Sequence, residues 1–355
     1  MSVLEELALP LVLAPMAGGP STPRLAAAVG EAGGLGFLAA GYLPAARLGE
    51  DIAALRAHGE RPFGVNVFAA GADRADAAAV EAYARRLDGE ARRLGAKLGE
   101  PRFDDDAFDA KVALLVAARV AVVSFTFGLP PPGAVAALRA GGSEIWQTVT
   151  SPEEAADALR LAPDVLVVQG VEAGGHRGVF VDDDGASELS VLAALQLIGA
   201  TTEVPLVAAG GITTGAAIAA VLSAGAAAAA LGTAYLRTPE AGTSAVQREA
   251  TAAATPTVLT RAFSGRTARG IANRWHAEYG GYAPHAYPQV HHLTAPLRAR
   301  ARAAGDAEAI NLWAGQAHAL ARELPAAELT RRLADDARAA LAAAAARLAP
   351  GARSG

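Results

Sequence analysis

His176 is the histidine of this chain best placed to act as a base. It lies in Gln169-Gly170-Val171-Glu172-Ala173-Gly174-Gly175-His176-Arg177-Gly178, among four glycines. Glycine lets a flat ligand come close to the backbone, and imidazole is the side chain best matched to proton transfer near neutral pH. A plain surface-loop histidine is the competing reading. Glu172 and Arg177 flank it, and they either orient the ring or pair at the surface. Two further segments, Gly210-Gly211-Ile212-Thr213 and Gly232-Thr233, have the composition of anion sites. A Gly-Gly turn that opens a helix brings backbone N–H groups close to a phosphate, and the helix N-terminus adds favourable potential. Either segment alone reads equally well as a tight turn. Together, after successive strands, they favour a phosphate-bearing ligand.

Other chemistries find little support. The chain has no cysteine, which excludes thiolate catalysis, Cys-ligated zinc and iron–sulfur clusters. His-Glu-x-x-His, Gly-x-Ser-x-Gly and the P-loop pattern are all absent. His291 and His292 are adjacent and need not converge on one ion, and His58 and His318 fall on predicted helices. Asp104-Asp105-Asp106 and Asp182-Asp183-Asp184 read as solvated loops, so no metal is expected.

The elements that must position these residues alternate. Eight short apolar runs read as strands: Leu11–Ala14, Leu35–Ala39, Phe63–Phe68, Val120–Phe125, Ile145–Val149, Val165–Gln169, Leu206–Ala209 and Ala228–Leu231. Helical stretches separate them at Thr22–Ala32, Ala45–His58, Ala72–Leu98, Pro132–Ala140, Pro152–Leu161, Glu188–Ile198 and Thr214–Ala224. Continuous apolar strands are buried on both faces, as in a parallel sheet covered by helices. The pattern predicts an α/β protein, a TIM (β/α)8 barrel, with a C-terminal helical cap. A doubly wound sheet is the alternative, but the first strand is followed by Ala14-Pro15-Met16-Ala17-Gly18-Gly19 and not by Gly-x-Gly-x-x-Gly. The predicted division is a barrel over 1–254, a cap over 255–325, and a closing helix with its tail over 326–355. In the cap, Ser264–Arg302 is poor in strand candidates, and helices are expected at Ala307–Arg322 and Ala326–Leu348. Trp275, Tyr279, Tyr282, His285, Tyr287, His291 and His292 are expected to cover the barrel mouth.

Composition sets the outer bounds. The chain has 355 residues, 52% of them hydrophobic, and a net charge of −5. That is ample for a packed core and lacks the basic excess of a nucleic-acid binder. No basic region followed by an apolar run opens the sequence, and the most apolar windows are broken by Gly225 and Gly232. A cytoplasmic protein without a membrane span is the expectation. Nothing in the sequence fixes an oligomeric state.

Taken in order, the motifs resemble the nitronate monooxygenase family, formerly called 2-nitropropane dioxygenases. The runs that carry the resemblance are Ala14 to Gly19, Ala32 to Gly36, Phe63 to Phe68, Val123-Ser124-Phe125-Thr126-Phe127-Gly128, Gln169 to Gly178, Ala208 to Ile212, Leu231 to Ala234, and Phe263-Ser264-Gly265-Arg266-Thr267-Ala268-Arg269-Gly270. The resemblance implies an FMN enzyme that oxidises alkyl nitronates with dioxygen to a carbonyl compound and nitrite. Carried over by position, Ala14, Pro15, Met16 and Ala17 would lie along the flavin. Asn66, Gln169, Gly174 and Gly175 would bond or abut it. Gly210, Gly211, Gly232 and Thr233 would hold its phosphate. His176 would be the base that takes the α proton when a neutral nitroalkane is the substrate. Family members often carry Gln where this chain has Ala230. The related flavin-dependent enoyl-acyl carrier protein reductases, which consume NAD(P)H, share the Glu-Ala-Gly-Gly-His loop. A non-catalytic flavin-binding protein is a further reading.

Overall fold

The structure is a computed structural model that describes residues 2–69 and 71–349. Eight parallel strands form its centre: β1 (Leu11–Leu13), β2 (Gly36–Ala39), β3 (Phe63–Phe68), β4 (Val122–Thr126), β5 (Glu144–Val149), β6 (Val165–Gln169), β8 (Leu206–Ala209) and β9 (Ala228–Leu231). They pair in the order β1-β9-β8-β6-β5-β4-β3-β2. A parallel bridge from Val12 to Leu35 joins the two ends, so the sheet closes into the predicted TIM barrel. Three short strands, β7 (Gly175–His176), β10 (Thr257–Thr260) and β11 (Ala268–Ile271), form an antiparallel sheet outside it.

Side chains alternate along a strand, and that alternation builds both the core and the site. Val12, Phe37, Val122, Trp146, Val165, Val207 and Ala228 point inward and fill the lower barrel. Phe37 and Trp146 meet there with ring centroids 5.5 Å apart. Gly64 is required at this level, because a Cβ on it would stand 2.3 Å from the Phe37 ring. Val3, Leu4 and Leu7 plug the bottom. One step of the pleat further up, the inward positions are Ala14, Asn66, Ser124, Thr148, Val167, Ala209 and Ala230, where the lining turns small and polar. The outward set, including Leu11, Leu13, Val65, Val123 and Val168, packs under the helices.

The last helix, Ala326–Leu348, closes the ring by packing against helices Gly215–Ser223 and Pro23–Glu31. It starts at Pro325 without a side-chain cap and buries Leu329, Leu333 and Ala337. Residues 350–355 of the predicted tail lie outside the described residues. Leu333 is fully buried, so Leu333→Ala should cost about 2–5 kcal/mol. Urea unfolding of the cofactor-saturated protein measures this, and a midpoint within error of the native one would contradict the closing role.

The cap has its own core of Phe263, Trp275, Tyr279, Val290, Leu293, Leu297 and Leu312. That core also takes Val80, Tyr83 and Leu87 from helix Ala77–Leu94, which the sequence reading left with the barrel. Four expectations need correction. The segment expected as helix Ala307–Arg322 carries only two 3-10 turns, Ala307–Ala309 and His318–Leu320. Between them an extended stretch donates nothing to a helix, and its Leu312 carbonyl accepts from Ile271 N at 2.8 Å. Ser264–Arg302 does contain a strand, β11, and a helix, Gln289–Ala303, that tolerates Pro296 in its interior. Phe108–Ala118 is a further unpredicted helix, mostly apolar and started by Ala107 at positive φ instead of a capping residue. The aspartate triplets are not simply solvated. Asp106 pairs with fully buried Lys111 at 2.6 Å, Asp104 meets His292 Nε2 at 2.7 Å, and Asp182 accepts from Thr267 N at 2.9 Å. No helix among the described residues is long and apolar enough to cross a membrane.

Candidate active site

A cavity of about 390 Å³ opens at the C-terminal ends of the barrel strands. All the residues singled out from the sequence line it: Ala14, Pro15, Met16, Ala17, Asn66, Gln169, Gly174, Gly175, His176, Gly210, Gly211, Gly232 and Thr233. The barrel supplies the floor, Ala14, Val167, Ala209 and Ala230 among it, and the cap supplies the roof through Ser264, His291, Arg298 and Trp313.

The polar part of the floor is a hydrogen-bond chain between neighbouring strands. Asn66 Nδ2 donates to Ser124 Oγ at 2.9 Å and to Thr126 Oγ1 at 3.0 Å, and Thr126 Oγ1 lies 3.1 Å from Thr148 Oγ1. The Asn66 amide oxygen keeps no protein partner among the described residues, so it is free to accept from a ligand. Gln169 is differently employed. Its Nε2 donates to the His176 carbonyl at 3.2 Å, and its Oε1 accepts from Gly178 N at 2.8 Å and Arg177 Nη1 at 3.1 Å. It therefore staples the loop after β6 into shape.

That staple and the pairing of β7 with β11 hold His176 in place. The ring stands among aromatic edges, with Phe127, Tyr287 and Trp313 centroids 5.9, 5.8 and 5.5 Å away. Its Nε2 lies 2.8 Å from Ser264 Oγ, and that oxygen is 3.2 Å from the Arg266 carbonyl. Neither residue flanking His176 orients the ring. Glu172 receives Val191 N at 3.1 Å and so caps the helix Val191–Gly199, while buried Arg177 donates to Gly170 O and Ser187 O at 2.7 and 2.9 Å. Burial pushes the His176 pKa down to about 3, with the Arg266 and Arg298 guanidiniums adding to the effect. The ring is neutral at physiological pH and able to accept a proton.

The glycines divide by role. Gly174 makes room for the cap, because a Cβ there would meet Ala314 C and Gly315 N at 2.5 Å. Gly210 and Gly211 have φ of +121° and +67°, so their turn needs glycine, and it opens the helix Gly215–Ser223. Gly232 is in the right-handed region with no close neighbour to its missing side chain. The N–H groups of Gly211 and Gly232 find no protein acceptor among the described residues. Both turns thus offer unpaired backbone donors in the cavity lining.

Of the expected cap residues, His291 lines the cavity, and Tyr287 packs against the His176 ring from the adjoining pocket. Trp275 and Tyr279 pack in the cap core, and Tyr282 is exposed beneath Arg86. His285 and His292 pair with Asp182 and Asp104 at the rim. The sequence reading gave no role to Ser264 or Arg298. Their only sequence signal was position: Ser264 falls in a motif run, and Arg298 lies seven residues, two helical turns, after His291.

A family model described as nitronate monooxygenase matches residues 2–336. The chain is 41% identical to a nitronate monooxygenase of Pseudomonas aeruginosa, over 93% of this chain and 96% of that protein. It is 40% identical to one from Paraburkholderia phytofirmans, over 91% of each. Among solved structures, a nitroalkane oxidase from Streptomyces ansochromogenes superposes with a TM-score of 0.92 at 49% identity, covering 96% of this chain and 100% of that one. FabK from Thermotoga maritima superposes with a TM-score of 0.75 at 24% identity, over 98% and 97% of the two chains, a likeness of fold.

Proposed function

The chain belongs to the nitronate monooxygenase family and is an oxidoreductase, and from that premise we propose that it oxidises alkyl nitronates with dioxygen on a bound FMN, giving a carbonyl compound and nitrite. The observation that carries this reading is one cavity lined together by small apolar floor residues, two turns with free backbone N–H groups and a neutral histidine. A flavin would supply the electron chemistry with oxygen, and the protein then has to bind, orient and move one proton. In this reading Gly211, Gly232 and Thr233 hold the phosphate, and Ala14 to Ala17 with Ala230 flank the ring system. The Asn66 amide oxygen accepts a ring N–H.

His176 takes the α proton, when the substrate arrives as a neutral nitroalkane, at the ring nitrogen that Ser264 does not engage, and Ser264 holds Nε2 and keeps the ring aimed. Phe127, Tyr287 and Trp313 exclude water around it. A nitronate has already lost that proton and needs only to be held. The neutral-substrate activity has its own support in the structural likeness to a nitroalkane oxidase.

Purification tests the reading. The protein should be yellow, release FMN stoichiometrically on denaturation, and consume oxygen with ethylnitronate without NAD(P)H. A colourless protein that takes up no flavin on reconstitution would overturn it. Oxidation of NAD(P)H that depends on an enoyl thioester would move the chain to the reductase reading, and bound FMN without turnover of either substrate would favour a flavin-binding protein.

A further inference from the structure

Arg298 is a buried cation on the wall of the cavity, only 8% exposed. Among the described residues it belongs to no ion pair, and no Asp or Glu lines the cavity it faces. Its hydrogen-bond partners are all neutral: Nε donates to Thr294 Oγ1 at 3.0 Å, Nη1 to Asn311 Oδ1 at 3.3 Å, and Nη2 to the carbonyl and Nδ1 of His291 at 2.9 and 3.3 Å. The one charged group beside it among the described residues is a second cation, Arg302, which shares Asn311 Oδ1 at 3.5 Å. A guanidinium has five N–H donors, so one on Nη1 is left over. Isolated buried charge is costly, and proteins ordinarily pair it. Arg298 is tied to the His176 side of the cavity by a chain of contacts: it donates to His291, His291 stacks on Tyr42, Tyr42 meets the Tyr287 hydroxyl, and the Tyr287 ring lies 5.8 Å from that of His176.

His291 completes the arrangement. By accepting from Arg298 at Nδ1, it must carry its proton on Nε2. Stacking against Tyr42, with centroids 4.2 Å apart and planes 2° apart, fixes the ring. Tyr42 is fixed in turn, through its N–H to Asp106 at 3.0 Å and through the Tyr287 hydroxyl at 3.2 Å. Nε2 of His291 has no partner among the described residues. Arg298 and His291 therefore present two fixed, unused donors to the cavity, one charged and one neutral, and no Asp or Glu among the described residues lines it to satisfy them.

We propose that Arg298, with His291, is the anchor for the nitro oxygens of the substrate. This rests on the nitronate reading above and adds to it the residue that selects for the anion. A nitronate carries its negative charge on two coplanar oxygens, which suits the planar fork of a guanidinium. Held there, its α carbon is turned toward His176. For a neutral nitroalkane the same contact strengthens as the proton moves to His176 and charge grows on the nitro oxygens, which is transition-state stabilisation by a preorganised donor. Arg298 and His291 are thus positioning residues for one substrate form and electrostatic stabilisers for the other.

The test uses the FMN-loaded enzyme and two readouts. Nitrate, a planar anion of similar shape that is not turned over, should perturb the flavin absorbance saturably in the wild type. Arg298→Gln should weaken that titration at least ~30-fold, in line with removal of a buried hydrogen-bonded charge. With ethylnitronate the same variant should raise KM by a similar factor and change kcat far less. His291→Phe, which keeps the stack on Tyr42 and removes the Nε2 donor, should raise KM about 5–10-fold, the worth of a single neutral hydrogen bond, and it decides the matter should Arg298→Gln fail to fold. Unchanged nitrate affinity and KM in both variants, at full flavin content, would overturn the proposal. Loss of FMN on substitution of Arg298 would also overturn it, by making the residue a cofactor ligand. Absence of ethylnitronate turnover in the wild type would instead remove the nitronate reading, and the nitrate titration would still report on the anion site.

Discussion

His176→Asn should lower kcat/KM for neutral nitroethane by about 10²–10⁴, the usual worth of a general base, while ethylnitronate loses far less. Only the neutral substrate still carries the α proton that His176 would take. Asparagine is close in size and keeps a polar atom within reach of Ser264, so fold and flavin content should persist, and both are to be measured with the kinetics. The pH dependence gives a second check with a definite sign. The base works in its neutral form, and an ordinary histidine would lose it below about 6.5. Burial and the two nearby guanidiniums depress the His176 pKa to about 3. The plateau of kcat/KM for nitroethane in the wild type should therefore run on below pH 6 as pH falls, where an exposed imidazole would already have cut it. Equal losses with both substrate forms would assign His176 to flavin or substrate positioning. No loss with either would make it a bystander. Should the enzyme turn over nitronates alone, the pH profile of kcat/KM with ethylnitronate in wild type and variant carries the test.

The elements legible in the sequence were those whose own residues determine them. Gly36–Ala39 and Ala228–Leu231 are strands with both faces buried, so hydrophobicity alone marks them, and their bounds follow from the turns around them. The helices expected at Thr22–Ala32, Pro152–Leu161 and Thr214–Ala224 are there, and Thr22, Ser151 and Thr214 cap them. The elements missed were decided by distant partners. The 310–316 stretch has helix-forming residues but runs extended over Gly174 and Gly270, because its carbonyls complete the edge left by β11. Helix Gln289–Ala303 was hidden by Pro296 and by a start at Pro288 without a capping side chain.

The candidate site was legible to the same degree. Its barrel half sits at the ends of strands in chain order, where the motifs are contiguous. The histidine's orienting partner, Ser264, is 88 residues away, and the flanking Glu172 and Arg177 proved to brace the loop instead. Arg298 carries no local mark in the sequence, since what sets it apart, a buried guanidinium with no carboxylate around it, is a property of three-dimensional packing alone.

The second large effect is expected at the phosphate turns, and the choice of residue matters. Gly211→Asp would remove the cofactor, but for two reasons at once: φ there is +67°, and a Cβ would stand 2.9 Å from Glu172 Cβ. A charge effect is better isolated at Gly232, where φ is −105° and the nearest atom to an added Cβ is Met16 Sδ at 3.5 Å. Gly232→Ala should therefore fold and keep its flavin. Gly232→Asp places a carboxylate beside the phosphate position, with Thr233 Oγ1 already engaged by Gly315 N at 2.9 Å and no basic side chain in that turn to offset it. Like charges a few ångströms apart in a partly buried site cost several kcal/mol. FMN affinity should fall by at least ~10³, seen as colourless protein after purification and as a failed fluorescence-quenching titration with added FMN. The barrel core lies below this turn, so the thermal midpoint of the apoprotein should match that of apo Gly232→Ala. Full flavin occupancy in Gly232→Asp would show that the anion site is elsewhere in the cavity. Equal loss of flavin in the alanine variant would show that backbone approach, and not charge, governs binding at this turn.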